Sequence, residues 1–381
     1  MNRGREITSI ILLFMICIFF VPGDPVAAEE MMAGDVSGDG VVNVFDAILV
    51  LRHVVGLGTL SDEEEARADL NGDGKVDVSD AIAILRHVVG LDGPPSREIA
   101  MGDTEAKLLR NLGEPARKDP SEYGFEWYIY NRNYDQYIQV GVDGGKVVGI
   151  YTNSDCWQMG GSIGLGSTRE ELVARYGVPL EGILKGNINY LFNENQKKQM
   201  SVYLFDDGDG YYAYFFLDII DSAGDKVTAV QLIDRDVEES MEEDNIPFST
   251  ALREGYERQS MDLANAIRAR YGKPPFQWCE KARMSARKHS QDMAYNDYFA
   301  HVNLQGESPG QRMTREEIDW SRCAENIAAG PKSAIMAHEA WMNSLGHRGN
   351  ILGTDLDYMG AGVAFGGSFR IYYTQNFYKP W

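Results

Sequence analysis

Two segments near the N-terminus carry oxygen-bearing side chains at the spacing of a calcium-binding loop. In each segment these side chains occupy positions 1, 3, 5, 9 and 12, and a glycine, Gly40 or Gly74, stands at position 6, where such a loop turns sharply. The first set is Asp35, Ser37, Asp39, Asn43 and Asp46, and the second is Asp69, Asn71, Asp73, Asp77 and Asp80. Calcium takes about six to eight oxygen ligands, and alternate residues of a tight loop point their oxygens inward. The spacing therefore predicts two calcium sites.

Each loop leads into a helix, and the two loop–helix units repeat at an offset of 34 residues. The twelve residues from Asp46 match those from Asp80 at ten positions. Position 12 of each loop is Asp instead of the Glu of an ordinary EF-hand, and the segment from Ala28 to Gly34 is too short to form an amphipathic helix that enters the first loop. In these features segment 34–91 resembles a dockerin of type I, a small α-helical calcium-binding module.

The resemblance implies that this module binds a cohesin on a scaffolding protein. Dockerins contact cohesins through their helix faces and through the residues beside the calcium loops. The corresponding residues here are Val44, Phe45 and Arg52 in the first repeat and Val78, Ser79 and Arg86 in the second. The alternative for the two arginines is that they lie on solvated helix faces.

A second group of chemically capable residues lies in the C-terminal third. His301, Glu325 and His347 stand in segments that can be recognised by their order along the chain. The segments are Tyr298-Phe299-Ala300-His301, Ala324-Glu325-Asn326-Ile327-Ala328 and Gly346-His347-Arg348-Gly349-Asn350-Ile351-Leu352. Two imidazoles and one carboxylate are able to hold a divalent metal or to carry out acid–base catalysis.

The same segments resemble the CAP superfamily of cysteine-rich secretory proteins, antigen five and pathogenesis-related proteins, over about residues 253–379. The resemblance implies an α–β–α sandwich with a cleft that contains two His and two Glu. It places His301, Glu325 and His347 in that cleft, whereas the position of the second Glu, three residues after Trp341, is Ser344. Glu339 precedes Trp341 by two residues and lies on a different helical face, so it is not expected to replace that Glu.

Two functions for this cleft follow from the residues. The first is binding of an extracellular ligand such as a lipid, a glycan or cell-wall material. The second is metal-assisted hydrolysis or peptidase activity, with zinc on His301 and His347 and with Ser344 as a further candidate. The missing second Glu favours binding, and no pair of carboxylates suggests a glycosidase. An accessory role in polysaccharide degradation rests on the dockerin resemblance alone.

The residues between these two modules predict a tandem α+β domain without a catalytic group. The pattern Ile-x-x-Gly-x-Thr recurs at residues 99 and 163 and is followed each time by a helical stretch, a Gly-x-Pro ending and β-branched, aromatic strands. This segment resembles the domain that precedes CAP modules in exported proteins of spore-forming bacteria, over about residues 97–238. The acidic run Glu238–Asp244 is predicted to be a solvated linker.

The N-terminus has the features of an export signal. Arg3 and Arg5 precede the apolar run Ile7–Val21, and small residues stand at 26–28. The run is shorter than the roughly 20 residues of a membrane-spanning helix, which favours cleavage after residue 28 over retention as an anchor. Three cysteines remain in the mature chain, and we predict a disulfide between Cys279 and Cys323, with Cys156 free.

The sequence therefore predicts a secreted multi-domain protein that is not an integral membrane protein once its signal is removed. Its parts are a signal peptide (1–28), the dockerin-like module (34–91), the tandem α+β domain (97–238) and the CAP module (248–381). The formal net charge of −21 is carried by the residues before the CAP module, which would repel the phosphates of nucleic acid. The predicted partners are a cohesin-bearing scaffold and an extracellular ligand.

Overall fold

The computed structural model divides the chain into two compact units, Met1–Pro95 and Ser96–Trp381. The residues that it describes are 33–70, 75–88, 99–157, 163–185, 188–191, 201–220, 225–241 and 246–381. The signal peptide, the ligand positions Asn71 and Asp73 and the linker at 89–98 lie outside these residues, as does the side chain of Arg86.

The first unit is built from three helices, α1 (Val44–Val54), α2 (Asp62–Ala68) and α3 (Val78–Val88). The two repeat helices, α1 and α3, pack together through small and aliphatic side chains, among them Ala47, Val50, Ala81 and Ile84, which are all buried. Helix α2 between the repeats is an element that the sequence analysis did not predict. The sequence feature that marks the start of α2 is a capping box, in which the side chains of Ser61 and Glu64 accept hydrogen bonds from each other's backbone N–H groups.

The tandem repeat in the second unit forms one antiparallel sheet of seven strands. The strands are β1 (Arg117–Pro120), β2 (Glu126–Tyr130), β3 (Ile138–Asp143), β4 (Lys146–Thr152), β7 (Val202–Asp206), β8 (Tyr211–Asp218) and β9 (Lys226–Asp234). Their spatial order is β1-β2-β3-β4-β9-β8-β7, so the last strands of the two repeats, β4 and β9, pair at the centre. A separate hairpin is formed by β5 (Gly182–Lys185) and β6 (Ile188–Leu191).

The two halves of this sheet domain are locally equivalent. Helices α4 (Glu105–Leu112) and α5 (Arg169–Tyr176) are capped by Thr104 and Thr168, and each capping threonine also pairs with the first residue of β4 or β9. Both helices end at a glycine with positive φ, Gly113 or Gly177, as the Gly-x-Pro endings predicted. A short helix α6 (Arg235–Ser240) follows β9.

The C-terminal part consists of a four-stranded sheet and five helices. The sheet order is β10-β12-β13-β11, with β10 (Gln277–Trp278), β11 (Arg322–Ala329), β12 (Tyr358–Phe365) and β13 (Ile371–Lys379). The helices are α7 (Thr250–Arg270), α8 (Glu280–Asn296), α9 (Pro309–Arg315), α10 (Ala334–Met342) and α11 (Leu345–Leu352). Helices α7 and α8 pack on β12, and α10 and α11 pack beside β11.

The seven-stranded sheet and the C-terminal part share a hydrophobic core. Trp127 and Tyr151 of the seven-stranded sheet belong to the same buried cluster as Leu263 of α7 and Trp341 of α10. Residues 99–241 and 246–381 are therefore packed as one body, although the sequence analysis treats them as separate domains.

Two predictions are wrong. Glu238 does not lie in a solvated linker, because it belongs to α6 and is buried, with Lys185 Nζ 2.7 Å from its carboxylate. Cys279 and Cys323 are free thiols and not a disulfide. Tyr378 lies between them: it pairs with Cys323 across the strands and donates a hydrogen bond to Cys279 Sγ at 3.3 Å. Cys156 is likewise a thiol, as predicted, and its Sγ lies 3.3 Å from Ser154 Oγ.

Candidate functional site

The first predicted calcium loop folds around two buried carboxylates. Asp35 accepts hydrogen bonds from the N–H groups of residues 38, 39 and 40, at 2.8 to 3.1 Å. Ser37 joins the ends of the loop, since its hydroxyl donates to Asp35 and its N–H donates to Asp46 at 2.8 Å. Gly40 has φ +85°, the left-handed conformation that position 6 requires. Loop positions 1, 3 and 12 are therefore brought together.

The first loop supplies oxygen atoms, the type of ligand that a hard cation takes. Although burial opposes ionisation, hydrogen bonds from the backbone of Gly40, Asp39 and Gly38 hold the pKa of Asp35 below its ordinary value. A carboxylate that stays ionised, next to a second buried carboxylate at Asp46, is a typical oxygen donor for calcium.

In the second loop, the described residues repeat this arrangement. Asp80 accepts hydrogen bonds from the N–H groups of Leu70 at 3.1 Å and Asp77 at 2.9 Å. Asp46 is bonded in the equivalent way by the N–H of Asn43 at 2.8 Å. The carboxylates at position 12 thus close both loops onto the starts of α1 and α3.

Helices α1 and α3 expose apolar side chains beside the two loops. Val44 is 47% exposed and Phe45 is 55% exposed on α1, and Val78 is 48% exposed on α3. The predicted partner residues Ser79 and Arg52 are exposed as well. Ile48 and Ile82, each about one helical turn after Val44 and Val78, are exposed as well, and the sequence analysis did not select them. We call these five apolar residues, Val44, Phe45, Ile48, Val78 and Ile82, the docking face.

The structure brings His301 and Glu325 into direct contact. His301 Nδ1 lies 2.9 Å from Glu325 Oε1, and the His301 side chain is half exposed while that of Glu325 is buried. Glu325 lies in strand β11, not in a loop, so its position is set by the pairing of β11 with β13.

A buried arginine that the sequence analysis missed completes this site. Arg312 of α9 binds Glu325 Oε2, and its Nη1 donates to the carbonyl groups of His301 at 2.7 Å and Glu307 at 2.9 Å. The guanidinium therefore neutralises the buried carboxylate and holds the loop that carries His301. Arg312 stands four residues after Ser308, the N-cap of the short helix α9. A basic residue on the inward face of a capped helix was the feature that could have identified it from the sequence.

These contacts do not fit a zinc site with three protein ligands. Both oxygens of Glu325 are engaged by His301 and Arg312, and Asn376, with its amide oriented to accept from Ala286 N, also donates to Oε2 at 3.1 Å. A metal at Glu325 would compete with the adjacent positive charge of Arg312. Within the described residues, no group of three or more His, Cys, Asp or Glu side chains is arranged to hold a metal ion.

His347 lies in the first turn of α11, and Ser344 is the residue that begins this helix. Burial, and then the nearby charge of His301, lower the pKa of His347, so the two imidazoles lie near each other. Asn326 of β11 donates to the carbonyl of His347 at 3.3 Å, and Asn350 donates to Asn326 at 2.9 Å. The structure thus brings His301 and Glu325 into contact and His347 near them, and Ser344 is three residues before His347 in the chain.

A polar cavity of about 260 Å³ lies between α8, α9 and the loop at 303–307. His289 of α8 lines it and is buried, with Nε2 2.9 Å from the carbonyl of Ala300 and 3.9 Å from Glu325 Oε1. His289 thus packs behind Glu325.

Glu339 lies away from the cleft. It is buried against the seven-stranded sheet, where Tyr151 of β4 donates to its carboxylate at 2.7 Å. This agrees with the expectation that Glu339 does not replace the missing Glu of the cleft.

Comparisons with known proteins match all three parts of the chain. Residues 33–88 match the dockerin type I domain, residues 101–243 match the CAP-associated N-terminal family, and residues 261–377 match the cysteine-rich secretory protein family. A Bacillus subtilis (strain 168) protein described as the uncharacterized membrane protein YlbC is 30% identical over 303 residues, covering 74% of this chain and 83% of the relative.

Solved structures are similar to residues of the second unit. An extracellular protein with an SCP domain from Bacillus anthracis has a TM-score of 0.63 and 27% identity, over 74% of this chain and 96% of that one. A cysteine-rich secretory protein from Staphylococcus aureus, with a TM-score of 0.57 and 19% identity over 73% and 93%, shares the fold. Among the described residues, the structure contains no helix long and apolar enough to span a membrane.

Proposed function

Because the chain belongs to the cysteine-rich secretory protein family, with a CAP-associated N-terminal domain and a dockerin type I domain before it, we propose that it is an exported docking protein. The dockerin domain binds a cohesin in a calcium-dependent way. The CAP domain, an α–β–α sandwich formed by helices α7–α11 around its sheet, binds an extracellular ligand in the cleft of His301 and His347.

The observation that carries the docking function is the docking face on α1 and α3. Five large apolar side chains there are between 43% and 55% exposed, although the same helices bury Ala47, Val50, Ala81 and Ile84 between them. An exposed apolar surface of this kind on a small soluble module is typical of a protein–protein interface. Calcium at the two loops would set the angle at which α1 and α3 present this face.

Calcium-dependent capture tests this half of the proposal. The full chain is passed over immobilised cohesin domains with calcium and then with a chelator, and the Asp35→Ala, Asp69→Ala double variant is compared with Asp62→Ala, an acidic residue of α2 outside the loops. We expect capture of the wild type and of Asp62→Ala in calcium only. Capture that persists in chelator, or in the double variant, would contradict the proposal.

For the cleft we propose ligand binding and not hydrolysis. Glu325 is engaged by His301 and Arg312, so it is not free to act as a base or as a metal ligand. Ser344 begins α11 without a base placed beside it in any described contact, which gives no support to a serine nucleophile. The alternative remains a metal-assisted hydrolase in which His301 and His347 supply two imidazoles.

A substrate screen distinguishes the two functions of the cleft. The full chain and the His347→Ala variant are incubated with peptide and glycan substrates with and without added zinc, and with lipid vesicles and isolated cell walls to measure binding. We expect binding that the variant weakens and no turnover. Zinc-dependent hydrolysis that the variant abolishes would establish the alternative.

Export through the N-terminal segment is part of the same proposal. Its basic residues, short apolar run and small residues at 26–28 support cleavage, while the membrane description of the relative YlbC supports retention as the alternative. Fractionation of cells and medium, with N-terminal sequencing of the recovered protein, decides between them. A start at Glu29 in the medium is the expected result.

A further inference from the structure

The end of strand β8 in the seven-stranded sheet contacts Asn343 and Arg348, which lie on either side of Ser344 and His347 in the chain. Asp218, the last residue of β8, has a carboxylate that is 7% exposed, and Arg348 Nη1 lies 2.6 Å from it. Arg348 directly follows His347 in the cleft helix α11. The buried ion pair therefore joins the middle domain to the residue next to the cleft imidazole.

Arg348 is held by contacts on two sides, and these contacts restrict the movement of α11. Its second terminal nitrogen, Nη2, donates to the hydroxyl of Tyr271 at 2.7 Å, and its guanidinium lies 5.6 Å from the centre of the Tyr271 ring. The side chain is thus held between β8 and the end of α7. A guanidinium that is bound on two sides has a fixed orientation, whereas a single contact would leave the side chain free to rotate.

A second contact lies one residue before Ser344. The amide of Asn343 donates from Nδ2 to the carbonyl of Leu217 at 2.9 Å and accepts at Oδ1 from the N–H of Ile219 at 3.2 Å. Asn343 therefore pairs with the backbone on both sides of Asp218. These contacts and the Asp218–Arg348 pair bracket the segment 344–347 from the middle-domain side.

The opposite side of the cleft helix is held by the CAP sheet. Asn326 of β11 donates to the carbonyl of His347, and Asn350 donates to Asn326, so this face of α11 is bound to the strand that carries Glu325. The position of His347 relative to Glu325 and His301 thus depends on two anchors. One anchor belongs to the CAP domain itself and the other belongs to the middle domain.

We propose that the middle domain acts as a positioning domain for the CAP cleft, with Asp218 holding Arg348 and the backbone of β8 holding Asn343, so that His347 and Ser344 keep their places in the ligand site. The inference rests on the proposed function only for the assignment of these two residues to a ligand site. It gives the middle domain a function that its own residues, among which no catalytic group is apparent, do not suggest.

Hydrogen exchange and histidine NMR on the ligand-free full chain test this inference. Asp218→Asn removes the charge from the ion pair, and Asn343→Ala removes the backbone contacts. Asp262→Asn is the matched control, because Asp262 of α7 forms the other described ion pair across the same interface, with Arg117 Nη2 at 2.7 Å, and is equally buried. The readouts are amide exchange in residues 345–352 and the imidazole signals of His347, with His301 as the internal reference.

We expect both test variants to raise amide exchange in α11 about tenfold and to shift the His347 signals, while Asp262→Asn does neither. Asp218→Glu, which keeps the carboxylate, should return the His347 signals toward those of the wild type. Equal changes in all variants would indicate general loosening and overturn the inference, as would an unchanged α11. If Asp218→Asn fails to fold, Asn343→Ala carries the same test. Since no ligand is present, failure of the proposed ligand function leaves this result interpretable.

Discussion

At the scale of single residues, the cleft depends on charges that are buried in pairs. Glu325 is almost fully buried, and the energetic cost of burying its charge is offset by Arg312, His301 and the amide of Asn376. The carboxylate is thereby a structural centre that orients His301. Because these partners occupy both of its oxygens, the carboxylate is not available as an acid for a substrate.

Removal of Arg312 should show how much this pairing contributes. We expect Arg312→Met to lower the free energy of unfolding by about 3 kcal/mol, because it leaves Glu325 buried without its cationic partner. Arg315→Met is the control, since Arg315 is 65% exposed in its pair with Glu307 and its loss should cost less than about 1 kcal/mol. Urea unfolding of both variants measures the difference, and equal losses would show that Glu325 does not need Arg312.

Glu339 makes stability dependent on pH through the interface between the middle and CAP domains. Burial, with a smaller contribution from Asp218 of β8, raises its pKa to about 7, although Tyr151 of β4 and Arg270 of α7 act in the opposite direction. Since this pKa lies above the ordinary value of 4.5, the contribution of Glu339 to stability is complete below pH 4.5. It is lost as the pH rises through about 7.

The Glu339→Gln variant tests this dependence. The amide stays neutral, so the variant should gain stability relative to the wild type as the pH rises from 5 to 8.5, by on the order of 3 kcal/mol. Urea unfolding at both pH values measures the change, with Glu254→Gln, at an exposed glutamate, as the control. A stability difference that is the same at both pH values would contradict the raised pKa.

At the scale of elements, helix α8 lies unusually close to strand β12. A β-carbon added to Gly360 would lie 2.1 Å from Arg283 N, and one added to Gly362 would lie 2.0 Å from Arg287 N. Glycine is required at these positions because the backbone of the helix itself occupies the space. The pattern Gly360-x-Gly362 is therefore a packing motif that places α8, with His289, behind Glu325.

Alanine at Gly362 should separate this helix from the sheet. We expect Gly362→Ala to cost about 3 kcal/mol or more, because neither backbone can move without disturbing the core. Gly349→Ala in α11 is the control: nothing lies within 4 Å of its added carbon, and alanine should favour the helix by up to about 1 kcal/mol. Thermal unfolding of the two variants should shift in opposite directions, and a neutral Gly362→Ala would show that the packing is loose.

At the scale of the whole molecule, the middle and CAP domains share one core, and the dockerin module has its own. The three sequence-defined modules therefore correspond to two compact units. Ligand-linked stabilisation acts only on the unit that binds the ligand.

Calorimetry of the full chain should reflect this division. We expect two unfolding transitions, of which calcium raises the temperature of the smaller one and leaves the larger one unchanged. The larger transition should contain residues 99–381 together, because separating them would expose side chains such as Trp127 and Trp341. A third transition, or a calcium shift of both, would contradict this assignment.

Several elements were predictable because their signals are local. Helices α4 and α5 follow the repeated Ile-x-x-Gly-x-Thr pattern and end at Gly113 and Gly177, where the Gly-x-Pro endings predict a stop. The strand β1 and the helix α2 were missed. Strand β1 contains charged residues and ends at Pro120, a composition that does not resemble a strand, and it exists because β2 pairs with it.

From the sequence alone we predicted the three modules, and the repeated loop spacing predicted the calcium ligands, because loop spacing and turn residues act over a few neighbouring positions. His301, Glu325 and His347 were predicted as cleft residues because their segments resemble the CAP superfamily. Only the tertiary structure decided that Arg312 neutralises Glu325, that Glu238 is buried, and that Cys279 and Cys323 are separated by Tyr378. It also joined Asp218 to Arg348 across 130 residues of chain. Such contacts depend on how elements that are far apart in the chain pack together. This packing produces no periodic pattern in the sequence around either of the contacting residues.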